Sequence, residues 1–177
     1  MPISKKKTHV IEIHAGQITT TDLTISLPPT LNFEPFGGYS KIAAVERHHN
    51  TGKIGVAVAK GYGIRNGAVA SSVSHDSHNI IVIGDNDADM AIAVNEIIRT
   101  QGGYTVVENG KVYETLALPI MGLMSDAGFE NVNEALQRMI QKAHQMGVAS
   151  KIDPFVTLSF LALPVIPELR ITPRGIL

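Results

Sequence analysis

The chain has 177 residues, a formal net charge of −1 and no cysteine, with 44% hydrophobic and 18% charged residues. This composition is typical of a folded domain and excludes bulk disorder, disulfide scaffolds, thiolate metal sites and cysteine nucleophiles. Near-neutral charge argues against nucleic-acid binding through phosphate neutralisation. We expect a single domain over residues 1–177 with a linker-like stretch at residues 1–15, no membrane span and a cytoplasmic location.

The first forty residues have an extended and loop-like character. The sequence predicts strands at Val10–Ile13 and Leu23–Leu27, an end to regular structure at Pro28-Pro29 and a loop at Phe33–Gly38. Four short apolar runs follow, separated by glycine-containing turns, and their continuous apolar character predicts strands buried on both faces. These runs are Ile42–Val45, Ile54–Ala59, Ala68–Ala70 and Ile80–Ile83.

Two segments have helical periodicity. The first has an acidic start at Asp85–Asp89, apolar residues at helical spacing from Met90 to Ile98 and a glycine pair at Gly102-Gly103. The second carries one apolar stripe from Val132 to Met146. We predict two main helices packed on a sheet.

Strand patterns lie between and after these helices. Asn109-Gly110 separates Tyr104–Glu108 from Lys111–Leu116, and this dipeptide favours a tight β-hairpin turn. A last strand is predicted at Val156–Leu163. The predicted fold class is α+β, with a mixed sheet, a β-hairpin and two main helices, and the strand order stays open.

A dense polar run lies between two of the apolar runs. It extends from Ser71 to Asn79, and its site candidates are Ser74, His75, Asp76, Ser77, His78 and Asn79. Polar groups between core strands are costly unless they are paired or face a cleft, so the run indicates either a functional site or a hydrogen-bonded turn. On a continuous strand His75 and His78 would point to opposite sides. A turn could bring both to one point with Asp76, as metal ligands or proton partners.

Two further segments are candidates for function. Glu46, Arg47 and His48 precede a turn and form either a charged strand end or part of a site. The run from Met121 to Ser125 is either an apolar loop under the second helix or the lining of a pocket for a flat apolar ligand. Phosphate-binding, dinucleotide-binding and serine-hydrolase motifs are not found in the sequence.

Four runs of this sequence resemble bacterial adenine deaminases. They are Ala44–His48 together with Gly52–Val56, Gly67–Ile80, Pro119–Ser125 and Asp153–Leu169. The resemblance extends over nearly the whole chain in the same order. It implies the C-terminal domain alone of an amidohydrolase-superfamily enzyme, because the (β/α)₈ barrel of that enzyme needs about 250 further residues.

The resemblance also implies a function. The full enzyme would convert adenine and water to hypoxanthine and ammonia, with manganese or iron in the barrel. We expect no cofactor in this chain, since the family's His-x-His metal pair is not among its histidines. The Ser74–Asn79 run would lie nearest the barrel's active-site mouth, where His75, Asp76 or His78 would contact the purine edge or exclude water.

The expected partners are the barrel domain, in cis or in trans, adenine, and a further copy in a homo-oligomer. One alternative is a non-catalytic oligomerisation or interaction module that uses Val156–Ile166. Another is an independent metallo-hydrolase built on His75, Asp76 and His78.

Overall fold

Eight strands form one mixed sheet in the computed structural model, which describes residues 7–26 and 37–177. The strands are β1 (Lys7–Ile13), β2 (Thr20–Ser26), β3 (Tyr39–Val45), β4 (Ile54–Lys60), β5 (Gly67–Ser71), β6 (Ile80–Gly84), β7 (Gly103–Glu108) and β8 (Lys111–Ala117). Their order across the sheet is β2-β1-β4-β3-β6-β5-β7-β8. The β1–β4 pair is parallel and the other neighbouring pairs are antiparallel.

Helices cover both faces of the sheet. They are α1 (Asp87–Arg99), α2 (Phe129–Gln145) and α3 (Pro154–Leu161), and a short hairpin follows with β9 (Ile171–Thr172) and β10 (Gly175–Ile176). One core lies beneath α1, and a larger core lies beneath α2, α3 and β9. None of these described helices has the length and apolarity needed to cross a membrane.

The central strands are buried on both faces, as their continuous apolar runs predict. On β3, Ile42 and Ala44 belong to the core under α2 and α3, whereas Ala43 belongs to the core under α1. Every residue of β5 and β6 is buried. The middle of the sheet is therefore a rigid layer, and the loops at its ends are the places where polar chemistry can lie.

The structure confirms the α+β prediction, the Asn109-Gly110 hairpin and the two predicted helices. The linker-like character expected of residues 1–15 does not hold for Lys7–Ile13, which pair with both β2 and β4. The predicted break at Pro28-Pro29 and most of the Phe33–Gly38 loop lie outside the described residues.

The strand predicted at Val156–Leu163 is wrong, because this segment forms α3. The Asp153 carboxylate accepts the backbone N–H groups of Phe155 and Val156 at 2.9 and 2.8 Å, and Pro154 occupies the first turn. Aspartate at the N-cap followed by proline is a typical helix start. The largely apolar run that follows has no clear periodicity that separates strand from helix.

The capping bonds of α3 lead to a stability prediction. Asp153→Ala removes the acceptor of two otherwise unpaired N–H groups and should lower the free energy of unfolding by about 1 kcal/mol. At this chain length the unfolding temperature should fall by about 2–4 °C. Thermal unfolding followed by circular dichroism measures the change. Asp126→Ala, at an exposed position before α2, is the control and should stay within about 0.5 kcal/mol; equal losses in the two variants would contradict the capping role.

Candidate functional site

The two polar segments found in the sequence meet at one end of the sheet. Val45, the last residue of β3, pairs with Ile80, the first residue of β6. Because these strands are antiparallel, Glu46–His48 and Asn79 lie at the same end of the sheet. We call this region, formed by residues 46–53, 72–79 and 118–128, the loop end. The sequence indicated each segment separately but did not predict their contact.

Arg47 joins the three loops of the loop end. Its backbone N–H donates to Asn79 Oδ1 at 3.3 Å, its Nε–H to the His78 carbonyl at 2.6 Å and its Nη2 to the Met121 carbonyl at 2.7 Å. Burial lowers the pKa of the Arg47 guanidinium, which nevertheless stays charged at neutral pH. Charged donors make strong hydrogen bonds, so this side chain fixes the relative positions of the loops.

The two carbonyls that Arg47 holds belong to residues with left-handed backbone. His78 has a φ of 49° and Met121 a φ of 59°, a region that non-glycine residues occupy at an energetic cost. Gly122 follows with a φ of 75°, and a Cβ at this position would lie 2.5 Å from the guanidinium nitrogens of Arg47. The close approach of the guanidinium to this turn therefore requires a glycine.

Buried serines hold the rest of the 72–79 loop. The Ser72 hydroxyl donates to the Gly122 carbonyl at 2.6 Å and accepts the Gly103 N–H at 2.8 Å. The Ser74 hydroxyl donates to the Asn79 carbonyl at 2.7 Å. These groups are satisfied within the fold, so the hydrogen-bonded turn expected as one alternative accounts for Ser72 and Ser74.

Three histidines, His48, His75 and His78, are more exposed than the buried Ser72 and Ser74 that hold the loop. His48 Nε2 lies 2.7 Å from the Ser77 carbonyl, which can only accept, so this nitrogen carries the hydrogen. The rings of His75 and His78 are 6.2 Å apart in an edge-to-face arrangement, and His75 is 5.2 Å from the ring of Phe160 on α3. Nδ1 of His78 is buried and has no partner among the described residues.

Burial and the neighbouring charged groups favour the neutral form of His78. Burial lowers the pKa of His78 from its ordinary value of 6.5, and the nearby His75 and Arg47 lower it further. At neutral pH the ring therefore offers one donor and one acceptor. Asp76, which acts in the opposite direction on this pKa, is exposed on the same loop.

Glu46 shapes the loop that carries His48. One carboxylate oxygen accepts the backbone N–H groups of His48 and His49, and the other accepts the N–H and the hydroxyl of Thr51 at 3.1 and 3.0 Å. These bonds, led by the Thr51 N–H, lower the pKa of Glu46 from 4.5 to about 2. Glu46 is thus an ionised loop-forming group.

The described part of the chain contains no group of three or more histidine, cysteine, aspartate or glutamate side chains that could hold a metal ion. His75, Asp76 and His78 lie on one loop, but they do not form such a group. The metal site considered from their spacing therefore lacks the required geometry.

A cavity of about 290 Å³ opens beside the candidate residues. Ser74, Asp76 and Ser77 line one side, and residues 162–173 supply the other side with Ala162, Pro164, Ile171, Thr172 and Pro173. The sequence did not predict that this C-terminal segment reaches the loop end. Residues so far apart along the chain leave no local pattern that would indicate their contact.

Comparison with known proteins gives one family. The sequence profile of the adenine deaminase C-terminal domain matches residues 17–177. The chain belongs to this family. It is 50% identical over 168 residues to an adenine deaminase of Desulfitobacterium hafniense, 46% identical over 179 residues to that of Nitratidesulfovibrio vulgaris and 43% identical over 179 residues to that of Bacillus subtilis.

These matches cover 94–99% of this chain but 30–31% of the relatives. The chain thus spans about 30% of the length of the curated relatives and corresponds to the C-terminal domain of an adenine deaminase. The match includes both polar segments of the loop end.

The role of Arg47 in holding the loops of this adenine deaminase C-terminal domain can be tested by measuring the free energy of unfolding. Arg47→Met removes two charged hydrogen bonds and leaves the carbonyls of two left-handed residues without that donor. The free energy of unfolding, measured by urea titration, should fall by about 3 kcal/mol. Arg99→Met is the control, because Arg99 is 70% exposed and bonds Glu96 within its own helix. Its effect should stay below about 1 kcal/mol, and an equally small loss for Arg47→Met would contradict the anchoring role.

Glu46 gives a pH prediction with a definite sign. Since folding lowers the pKa of Glu46 to about 2, its stabilisation is present above pH 4.5 and is lost as the pH falls towards 2. The unfolding temperature of the unsubstituted protein should exceed that of Glu46→Gln at pH 6, and the difference should disappear near pH 2. Glu134→Gln, on the exposed side of α2, is the control; a Glu46→Gln difference that is independent of pH would oppose this assignment.

Proposed function

We propose that this domain completes the active site of an adenine deaminase whose barrel domain lies in the remaining part of the enzyme. The reaction would be hydrolysis of adenine to hypoxanthine and ammonia. Support comes from relatives named adenine deaminase, of which this chain covers less than one third. The observation that carries the proposal is the cluster of His48, His75 and His78 at the loop end, in which Arg47 holds the left-handed backbone of His78.

The chemistry requires water to attack C6 of the purine, after which the C6–N bond breaks and ammonia leaves. Manganese or iron would activate the water. The described residues do not fit such a metal, so the ion would belong to the barrel. The contribution of this domain lies in binding the purine, orienting it and excluding water.

The neutral state of His78 suits contact with a neutral base. The edges of adenine carry both hydrogen-bond donors and acceptors, and a neutral imidazole has one of each. Its buried Nδ1, which has no partner among the residues that the structure describes, gains from a hydrogen bond when substrate or the barrel covers it. His75, held against Phe160, would flank the same position, and the exposed Asp76 would accept an N–H.

The other functions expected from the sequence have less support. The Val156–Ile166 run was an alternative interaction strand, but Leu158 and Leu161 are buried in the core of this domain. Homo-oligomer formation and direct contact with adenine stay proposals. The independent metallo-hydrolase has no described metal cluster on which to operate.

The proposal is testable in a full-length enzyme. We would replace the matched segment of the Bacillus subtilis adenine deaminase with this chain and measure release of ammonia from adenine. In this chimera His78→Ala should lower kcat/KM by about 100-fold, as expected for loss of a positioned proton donor or acceptor. His75→Ala should also lower it.

The control is His9→Ala, because His9 lies on β1, outside the three loops of the loop end, and bonds Asp22 of the edge strand β2. This variant should keep the activity of the unsubstituted chimera. Thermal unfolding of each variant separates loss of function from loss of fold. Folded His75→Ala and His78→Ala chimeras with activity within twofold of the parent would overturn the proposal.

A further inference from the structure

The loop that precedes α2 exposes apolar side chains at the loop end. Met121 is 75% exposed and Met124 is 52% exposed, with Ile120 beside them. A single exposed apolar residue is common on protein surfaces. Met121, however, combines that exposure with a left-handed backbone, so two unfavourable features coincide at one residue.

The Ile120–Met124 loop is firmly held by the domain. The N–H of Ile120 donates to the Met124 carbonyl, and the N–H of Met124 donates back to the Ile120 carbonyl, both at 3.1 Å. The Met121 carbonyl accepts from Arg47, and the Gly122 carbonyl accepts from the buried Ser72 hydroxyl. The side chains are therefore presented in a fixed arrangement, which lowers the entropy cost of binding a partner.

The same guanidinium connects this loop to the candidate site. Arg47 bonds the Met121 carbonyl through Nη2 and the His78 carbonyl through Nε, and these two nitrogens belong to one planar group. The backbone carbonyls of Met121 and His78 therefore lie next to each other, so a partner that covers Met121 approaches the loop that carries His78.

We propose that the Ile120–Met124 loop is the surface on which the rest of the adenine deaminase chain packs, with the Met121 side chain as its anchor. More than two thirds of each relative lies outside the matched segment, so a large partner within the same polypeptide is available. Exposed methionines that are rigidly presented suit such an interface, where methionine is enriched. This inference rests on the proposed function, because that proposal places the barrel domain beside the loop end.

Methionine oxidation tests this contact without measuring catalysis. Hydrogen peroxide converts accessible methionine to its sulfoxide, and mass spectrometry gives the rate at each position. In the isolated chain Met121 and Met124 should react readily. In the Bacillus subtilis chimera Met121 should react at least about tenfold more slowly, because the partner covers its sulfur.

The chain supplies its own controls. Met90, Met139 and Met146 are at most 5% exposed and should react slowly in both proteins. Val112→Met places a reporter on the exposed side of β8, beside the hairpin turn at the opposite end of the sheet, and should react readily in both. Met121→Gln should lower the unfolding temperature of the chimera and leave that of the isolated chain unchanged.

Equal oxidation rates for Met121 in the folded chimera and in the isolated chain would overturn the inference. Protection of Met121 in the isolated chain that rises with protein concentration would also overturn it, since the occupant would then be a second copy. Failure here is distinguishable from failure of the proposed function. An active chimera with an unprotected Met121 rejects only the interface, whereas a protected Met121 with no effect of His78→Ala rejects only the histidine roles.

Discussion

The arrangement of the loop end depends on one charged side chain, Arg47. Its guanidinium bonds the carbonyls of His78 and Met121, and its backbone N–H bonds Asn79. None of these acceptors is a carboxylate. The positive charge of the guanidinium therefore strengthens its two hydrogen bonds to neutral carbonyl groups and is not neutralised by them. Three loops that are far apart in sequence thereby become one rigid surface, and Gly122 is the residue that allows the guanidinium to approach.

This interaction is possible because of the sheet topology. β3 and β6 are neighbouring antiparallel strands, and each is buried on both faces beneath helices. Their shared end sets the distance between the 46–53 and 72–79 loops, while β7 and β8 bring the segment before α2 to the same end. A rigid central layer with functional loops at one end is a common division of roles between scaffold and site.

The sequence predicted the parts of the fold that carry local signals. The apolar runs marked β3 to β6, and Asn109-Gly110 marked the hairpin, because turn chemistry and burial act over a few residues. It missed α3, where Asp153 and Pro154 are a helix start signal but the largely apolar run after them favoured a strand. It also missed the bonds of Arg47 to the other loops, since contacts across 31 and 74 residues leave no local pattern.

Several unfavourable features of this domain lie together at the loop end. Left-handed backbone at His78 and Met121, together with the His78 Nδ1 that has no partner among the described residues, reduces the stability of the domain by itself. The Met121 side chain is exposed at the same place. Each of them would be offset by a partner that supplies apolar cover and hydrogen bonds. Because Arg47 fixes Met121 and His78 to the same planar group, binding of Met121 by that partner also sets the position of His78. Docking of the partner and completion of the active site would then be one event, because the contact between the domains also fixes the position of His78 for catalysis.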